Sequence, residues 1–349
     1  MNTCGYTLGQ KGIITFRILS DGRLKQVGTT RIESNSSQGG LLAVDASGRW
    51  LCIAPEFVPE VVSLDNPGKP WRKTTLLTFF ALDNQGLPVY QAHITVPVTA
   101  IQLVLCPTGK RLYVNGGNAI TTVDLAQNAM PFVRSTLHFS ELYWFTTRAG
   151  FRNQTHLTVS PDGRYVFSYI ETGFMDHAEN WLQIFHRNRQ GELEKQSKEP
   201  LVSTSPTDVR HAGATWVLSD GQTVVMNGHP EYHLHCGLWK AGKFRSLNLF
   251  DEKSNACGLD PLGRVLIATS KYDKAYSAVY RRIAPGKLKR VATYRNVMGE
   301  LAIEPQGRFL YSQGNGTLKT WRISPDCSLT PFREEPWPLE HGVLKFPAR

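Results

Sequence analysis

The chain has 349 residues, 41% hydrophobic and 10% aromatic, with 30 Gly and 20 Pro, a balance that argues against long helices and for many short strands joined by tight turns. Lys and Arg number 39 against 29 Asp and Glu, a formal charge of +10, which tolerates a polyanionic partner or an anionic ligand without demanding one. No run of about eighteen apolar residues occurs, so no membrane-spanning helix is expected.

In chain order, the first segment, MNTCGYTLGQKG, lacks the basic start and apolar run of a signal peptide. The six cysteines, Cys4, Cys52, Cys106, Cys236, Cys257 and Cys327, lie far apart and form no CxxC pair. A reducing compartment and a soluble cytoplasmic protein are the expectation. Next come an alternating strand, IITFRI, and a polar one, GRLKQVG. From there one signature recurs six times: an apolar strand, a turn ending in Gly, then a second apolar strand. The copies are LLAVDASGRWLCIA, IQLVLCPTGKRLYVN, LTVSPDGRYVFSYI, TWVLSDGQTVVMN, CGLDPLGRVLIATS and LAIEPQGRFLYSQ, with turn glycines Gly48, Gly109, Gly163, Gly221, Gly263 and Gly307. Each reads as a hairpin, because Gly tolerates the positive φ that a tight reversal needs.

After each hairpin comes a shorter alternating run, and with IITFRI these number seven: TLLTFFA, AITTVDL, WLQIFH, CGLWK, SAVYRR and TLKTWRI follow the six hairpins. Most lead through a Gly turn to a polar outer strand. The spacing is that of four-stranded blades, and the chain reads as one domain, residues 1–349, an all-β seven-bladed β-propeller. Seven third strands against six inner hairpins leaves the first blade without its inner pair. MNTCGYT and GVLKF, from Gly342 to Phe346, are expected to supply it, so that both chain ends close the ring in one blade.

The stretch CGYT…KGIITFRILSDGRLKQVG, with the repeated turns of SPDGRYVF type, resembles the seven-bladed lactonase-like propellers, the group that contains bacterial 6-phosphogluconolactonase. The resemblance covers nearly the whole chain. It implies a His, an Arg and an acidic residue near strand ends around the central channel, acting on a lactone ring. His156, Arg210 and His211 are the catalytic candidates under that reading. The chain departs from the family pattern at Gln154-Thr155-His156, where Pro-His is common, at the position of Arg210-His211, at Asn227-Gly228 and at Ser312-Gln313-Gly314.

In a propeller the connections from second to third strand and from blade to blade emerge on one face, and the long irregular segments of this chain are of those kinds. An aromatic and basic group there, Tyr143, Trp144, Phe145, Arg148 and Arg152, has the residue types that dominate protein recognition. GHPEYHLHC offers His229, Glu231, His233 and His235, of which His233 and His235 alternate as strand residues do; exposed histidines of this kind need no metal. Glu171, Asp176, His177 and Glu179 form a polar group on the same face. The basic cluster Arg281, Arg282, Lys287, Lys289, Arg290 and Arg295 reads as charge protecting a blade edge. No Walker-type loop, nucleophile elbow, HExxH or dinucleotide fingerprint is present, and neither cofactor nor metal is expected. The leading expectation is a non-catalytic scaffold binding a protein, peptide or other partner on the loop-rich face. A sugar-lactone hydrolase is the alternative, and nucleic-acid association through the net charge is the second.

Overall fold

The computed structural model describes residues 4–32, 40–45, 48–55, 74–116, 119–125, 130–138, 156–172, 179–201, 214–227, 233–240, 242–253, 256–260, 263–269, 276–295, 297, 299–338 and 341–347. Within these, some strand residues are described by backbone alone.

Twenty-seven strands form seven antiparallel sheets, each a meander. Blade 1 holds β1 (Cys4–Gly9), β2 (Gly12–Ile18) and β3 (Leu24–Thr30). Blade 2 is β4 (Gly40–Val44), β5 (Trp50–Pro55), β6 (Thr75–Leu82) and β7 (Pro88–Val96). Blade 3 is β8 (Gln102–Leu105), β9 (Arg111–Asn115), β10 (Ala119–Asp124) and β11 (Phe132–His138). Blade 4 is β12 (His156–Val159), β13 (Tyr165–Thr172), β14 (Glu179–Arg187) and β15 (Leu193–Leu201). Blade 5 is β16 (Ala214–Val217), β17 (Thr223–Asn227), β18 (His233–Lys240) and β19 (Lys243–Lys253). Blade 6 is β20 (Ala256–Leu259), β21 (Val265–Thr269), β22 (Tyr276–Ala284) and β23 (Lys287–Arg295). Blade 7 is β24 (Glu300–Ile303), β25 (Phe309–Gly314), β26 (Thr317–Ile323) and β27 (Leu329–Pro336).

Strand side chains alternate between the two faces of a sheet, so a blade apolar on both faces buries itself only between two others. The core accordingly divides into seven slabs, one per blade interface. Leu42, Val44 and Leu51 of blade 2 meet Cys4, Tyr6 and Ile13 of blade 1. Six further clusters repeat this around the ring, and the last joins Ala302, Phe309 and Tyr311 of blade 7 to Ile14, Phe16 and Leu344 of blade 1. The two chain ends meet as the sequence requires. Tyr6 N donates to Lys345 O and Lys345 N to Tyr6 O, each at 2.8 Å, and Gly342 N donates to Leu8 O at 2.7 Å. The inner strand of blade 1 is therefore the C-terminal segment, reduced to the one bridge Tyr6–Lys345. Gly5 permits the close packing beside it, since a Cβ there would lie 2.6 Å from the Phe346 ring.

Polar devices fix the blade-to-blade spacing. The turn between third and outer strand docks on the second strand of the preceding blade. Tyr6 donates its hydroxyl to Gly86 O at 2.9 Å and Tyr311 to Gly22 O at 2.8 Å, while Gly286 N donates to Thr223 Oγ1 at 2.8 Å and its carbonyl accepts the thiol of Cys236 on the third strand at 3.4 Å. On the inner turns, the buried carboxylate of Asp260 holds Arg264 Nε at 2.7 Å, and Arg264 Nη2 reaches across to Gly307 O of blade 7 at 2.9 Å. Asp45 with Arg49 and Glu304 with Arg308 repeat the carboxylate–arginine pair. No helix occurs among the described residues, and none is long and apolar enough to cross a membrane.

Candidate functional site: the channel and its loop-bearing rim

The inner strands line the axis, and their register defines levels of the channel. At the level paired with Cys52, Tyr113, Phe167, Val225, Ile267, Tyr311 and Tyr6 stand Ala43, Val104, Thr158, Trp216, Gly258, Ala302 and Lys345. Five of the seven are small or β-branched, which keeps this level of the ring narrow in side-chain volume; Trp216 and Lys345 are the exceptions. Two residues earlier on their strands, toward the loop-bearing rim, stand Gln102, His156 and Glu300.

Lys345 is the chemically distinctive member. It remains accessible to solvent, yet protein surrounds it closely, and this desolvation lowers its ammonium pKa, with the Glu300 carboxylate pulling in the opposite direction. Glu300 is exposed at the start of β24. A cation held in a ring of backbone edges is suited to receive an anionic group entering along the axis. Gln102 instead ties blades 3 and 4 together, its Nε2 donating to Leu157 O at 3.2 Å and its Oε1 accepting from Leu157 N at 2.8 Å. Gln313 holds the closing strand in the same manner, its Oε1 accepting from Leu344 N at 2.9 Å.

Among the sequence candidates, His156 opens β12, half-buried, with its ring 5.7 Å from that of Trp216 of blade 5. It thus sits at the channel margin against an indole. Arg210, His211, Tyr143, Trp144, Phe145, Arg148, Arg152, His229 and Glu231 lie outside the described residues, as do Asp176 and His177. His233 and His235 belong to the described backbone of β18, which begins before the CGLWK run, with His235 paired to Met226 and Leu249. Glu171 and Glu179 are likewise strand residues, at the ends of β13 and β14. Among the described residues no group of three His, Cys, Asp or Glu side chains gathers as a metal site.

The rim itself is defined by strand ends. The long connections 56–74, 139–155, 202–213 and 228–232 all join second to third strand or one blade to the next. They therefore leave from the same end of the ring. The opposite end carries the tight inner turns and their carboxylate–arginine pairs. Sequence reasoning missed Lys345, Glu300 and Trp216. Aligning the inner strands of all seven blades would have exposed Lys345 as the charged residue at a level otherwise uncharged.

No protein-family model matches the chain, and no curated protein does. Solved structures do. A 6-phosphogluconolactonase candidate from Bacteroides fragilis is similar with a TM-score of 0.70 at 15% identity, over 99% of this chain and 98% of that one. Another from Bacteroides uniformis gives 0.68 at 13% identity, over 99% and 100%. The β-propeller domain of Cps50 (Swd1) from Myceliophteria thermophila gives 0.56 at 14% identity, over 88% of each chain. At such identities the likeness is one of fold, and the fold is the seven-bladed β-propeller.

Proposed function

We propose that this protein is a binding propeller whose loop-bearing rim engages a protein or peptide partner, with the channel behind it receiving an anionic group at Lys345. The observation that carries the reading is the division of labour between the two ends of the ring. One end is occupied by short turns whose polar groups are engaged with each other, as Asp260, Arg264 and Gly307 are. The other collects the long connections, including the segment with Tyr143, Trp144, Phe145, Arg148 and Arg152. Large aromatics with arginine are the residues that anchor protein interfaces, and a rigid ring is the kind of support on which such loops work.

The test compares three immobilised proteins: wild type, the Trp144→Ala/Arg148→Ala double variant, and Arg164→Ala on the opposite end. Wild type and Arg164→Ala are expected to retain the same cellular protein, and the double variant to lose it. Equal retention by all three would refute the reading. The lactone-hydrolase alternative is measured in parallel. Turnover of 6-phosphogluconolactone that vanishes on Arg210→Ala would replace binding by catalysis, with His156 and His211 as the next residues to change. Binding to duplex DNA that weakens steeply with salt would mark only the +10 charge.

A further inference from the structure

The channel holds two opposite charges that do not meet. Lys345 stands on the closing inner strand, its backbone bonded to Tyr6 and its side chain accessible. Its ammonium makes no hydrogen bond or ion pair with any described residue. Glu300 opens β24 of the adjoining blade 7 and acts electrostatically on that ammonium without bridging to it. Register sets the two apart. Ala302 is the blade 7 residue at the level of Lys345, and Glu300 lies two residues nearer the rim, a rise of about 7 Å. Gln313, opposite Glu300 on β25, holds this offset, because its Oε1 accepts from Leu344 N of the closing strand at 2.9 Å.

Apart from the His156 imidazole, the other inner-strand positions at these two levels carry uncharged residues. Across the axis, blades 4 and 5 present an aromatic wall, with the His156 ring 5.7 Å from the half-buried Trp216 indole. This arrangement selects among small ligands by charge. A phosphate or a dicarboxylate brings two negative charges to one cation, and Glu300 repels the second. A simple carboxylate satisfies Lys345 and leaves Glu300 unmatched beside it. A molecule with carboxylate and ammonium on one carbon satisfies both, through charge-assisted hydrogen bonds in an enclosed channel. The indole offers a face for an apolar side chain.

We propose that the channel binds a free α-amino acid with an apolar side chain, its carboxylate on Lys345, its ammonium on Glu300 and its side chain toward Trp216. This rests on the reading of Lys345 as an anion seat and names the molecule that carries the anion. The test is isothermal titration calorimetry of the full chain with L-leucine and L-phenylalanine, both of which bind. N-acetyl-L-phenylalanine keeps the carboxylate and loses the ammonium, and L-phenylalaninamide does the reverse. Each binds about tenfold more weakly than L-phenylalanine, the size of one lost charge-assisted contact. Glycine, without a side chain to bury, is weaker by about the same factor. Lys345→Met abolishes binding and retains the backbone bonds of the closing strand. Glu300→Gln weakens L-phenylalanine about tenfold and leaves the N-acetyl compound no weaker. Arg164→Ala, on the turn end, changes nothing. Both substituted channel side chains are accessible, and melting curves verify folding. Binding of neither amino acid overturns the proposal. So does equal binding of the N-acetyl compound, which would leave the anion seat standing and admit the C-terminal carboxylate of a peptide. Undiminished binding to Lys345→Met overturns the proposal and the anion seat together. The rim reading is tested separately, through Trp144 and Arg148.

Discussion

Asp260 concentrates the energetics of an inner turn in one side chain. Its carboxylate is fully buried, accepts from Arg264 N and Nε, and through Arg264 fixes a carbonyl of the next blade. Asp260→Ala strands those donors and is expected to cost about 2–3 kcal/mol, read from the urea midpoint at constant m-value. Lys345 is the opposite case, a group whose surroundings disfavour its charge. With the folded pKa lowered, folded and unfolded chains are both protonated at low pH, and the penalty is then full and constant. As pH rises through the folded pKa the native state sheds its proton first, the penalty fades, and stability climbs until the ordinary lysine value near about 10.4. Lys345→Met therefore melts higher than wild type at pH 7, and the gap narrows toward pH ~10. A constant gap across that range would show that Lys345 titrates as an ordinary lysine. Cys236 is fully buried between blades 5 and 6, and burial pushes its thiol up to about 12. It should resist iodoacetamide at pH ~8 in the native state and react once the chain is unfolded, as peptide mapping would show.

At the scale of single elements, the inner hairpins separate two roles of glycine. Gly221 and Gly307 have nearly the same backbone, with φ of 66° and 67°, but different surroundings. A Cβ on Gly221 would meet only Pro161 Cδ at 3.8 Å, whereas one on Gly307 would press into the Asp260 carboxylate and the Arg264 guanidinium. Gly221→Ala should cost about 1–2 kcal/mol, the left-handed conformation alone. Gly307→Ala should cost roughly 2–5 kcal/mol, because overpacking adds to it. Equal losses in urea unfolding would mean that the turns do not gear together. These hairpins were legible because apolar alternation and a turn glycine are local properties. Tyr6 and Gly86 show what was not: their bond spans 80 residues and exists only once blades 1 and 2 stand side by side. The basic cluster from Arg281 to Arg295 was legible only as edge charge. In the fold Arg282 joins Asp220 of blade 5 at 3.0 Å, while Arg295 stands exposed at the end of β23. One-dimensional spacing cannot separate a residue bonded across an interface from its neighbour left facing water.

For the whole molecule, everything turns on a closure made of few atoms. Six blades carry continuous inner strands, and the seventh inner strand is held through the Tyr6–Lys345 pair, the Gly342–Leu8 bond and the Gln313 amide. Leu344, fully buried, fills the slab between blades 7 and 1 beside Tyr311 and Ala302. Removing it alone, Leu344→Ala, should cost about 2–4 kcal/mol and leave one cooperative transition. Deleting residues 342–349 does more. It strips the same apolar contact and also leaves Tyr6 N–H and C=O and the Gln313 side chain without their partners at the inner edge of blade 1. Its urea midpoint should fall well below that of Leu344→Ala, and blades 1 and 7 should lose amide-exchange protection before blades 3 and 4 do. If the truncated chain instead matched the point variant, with protection lost evenly around the ring, the terminal strand would be an accessory and the other interfaces would hold the circle by themselves.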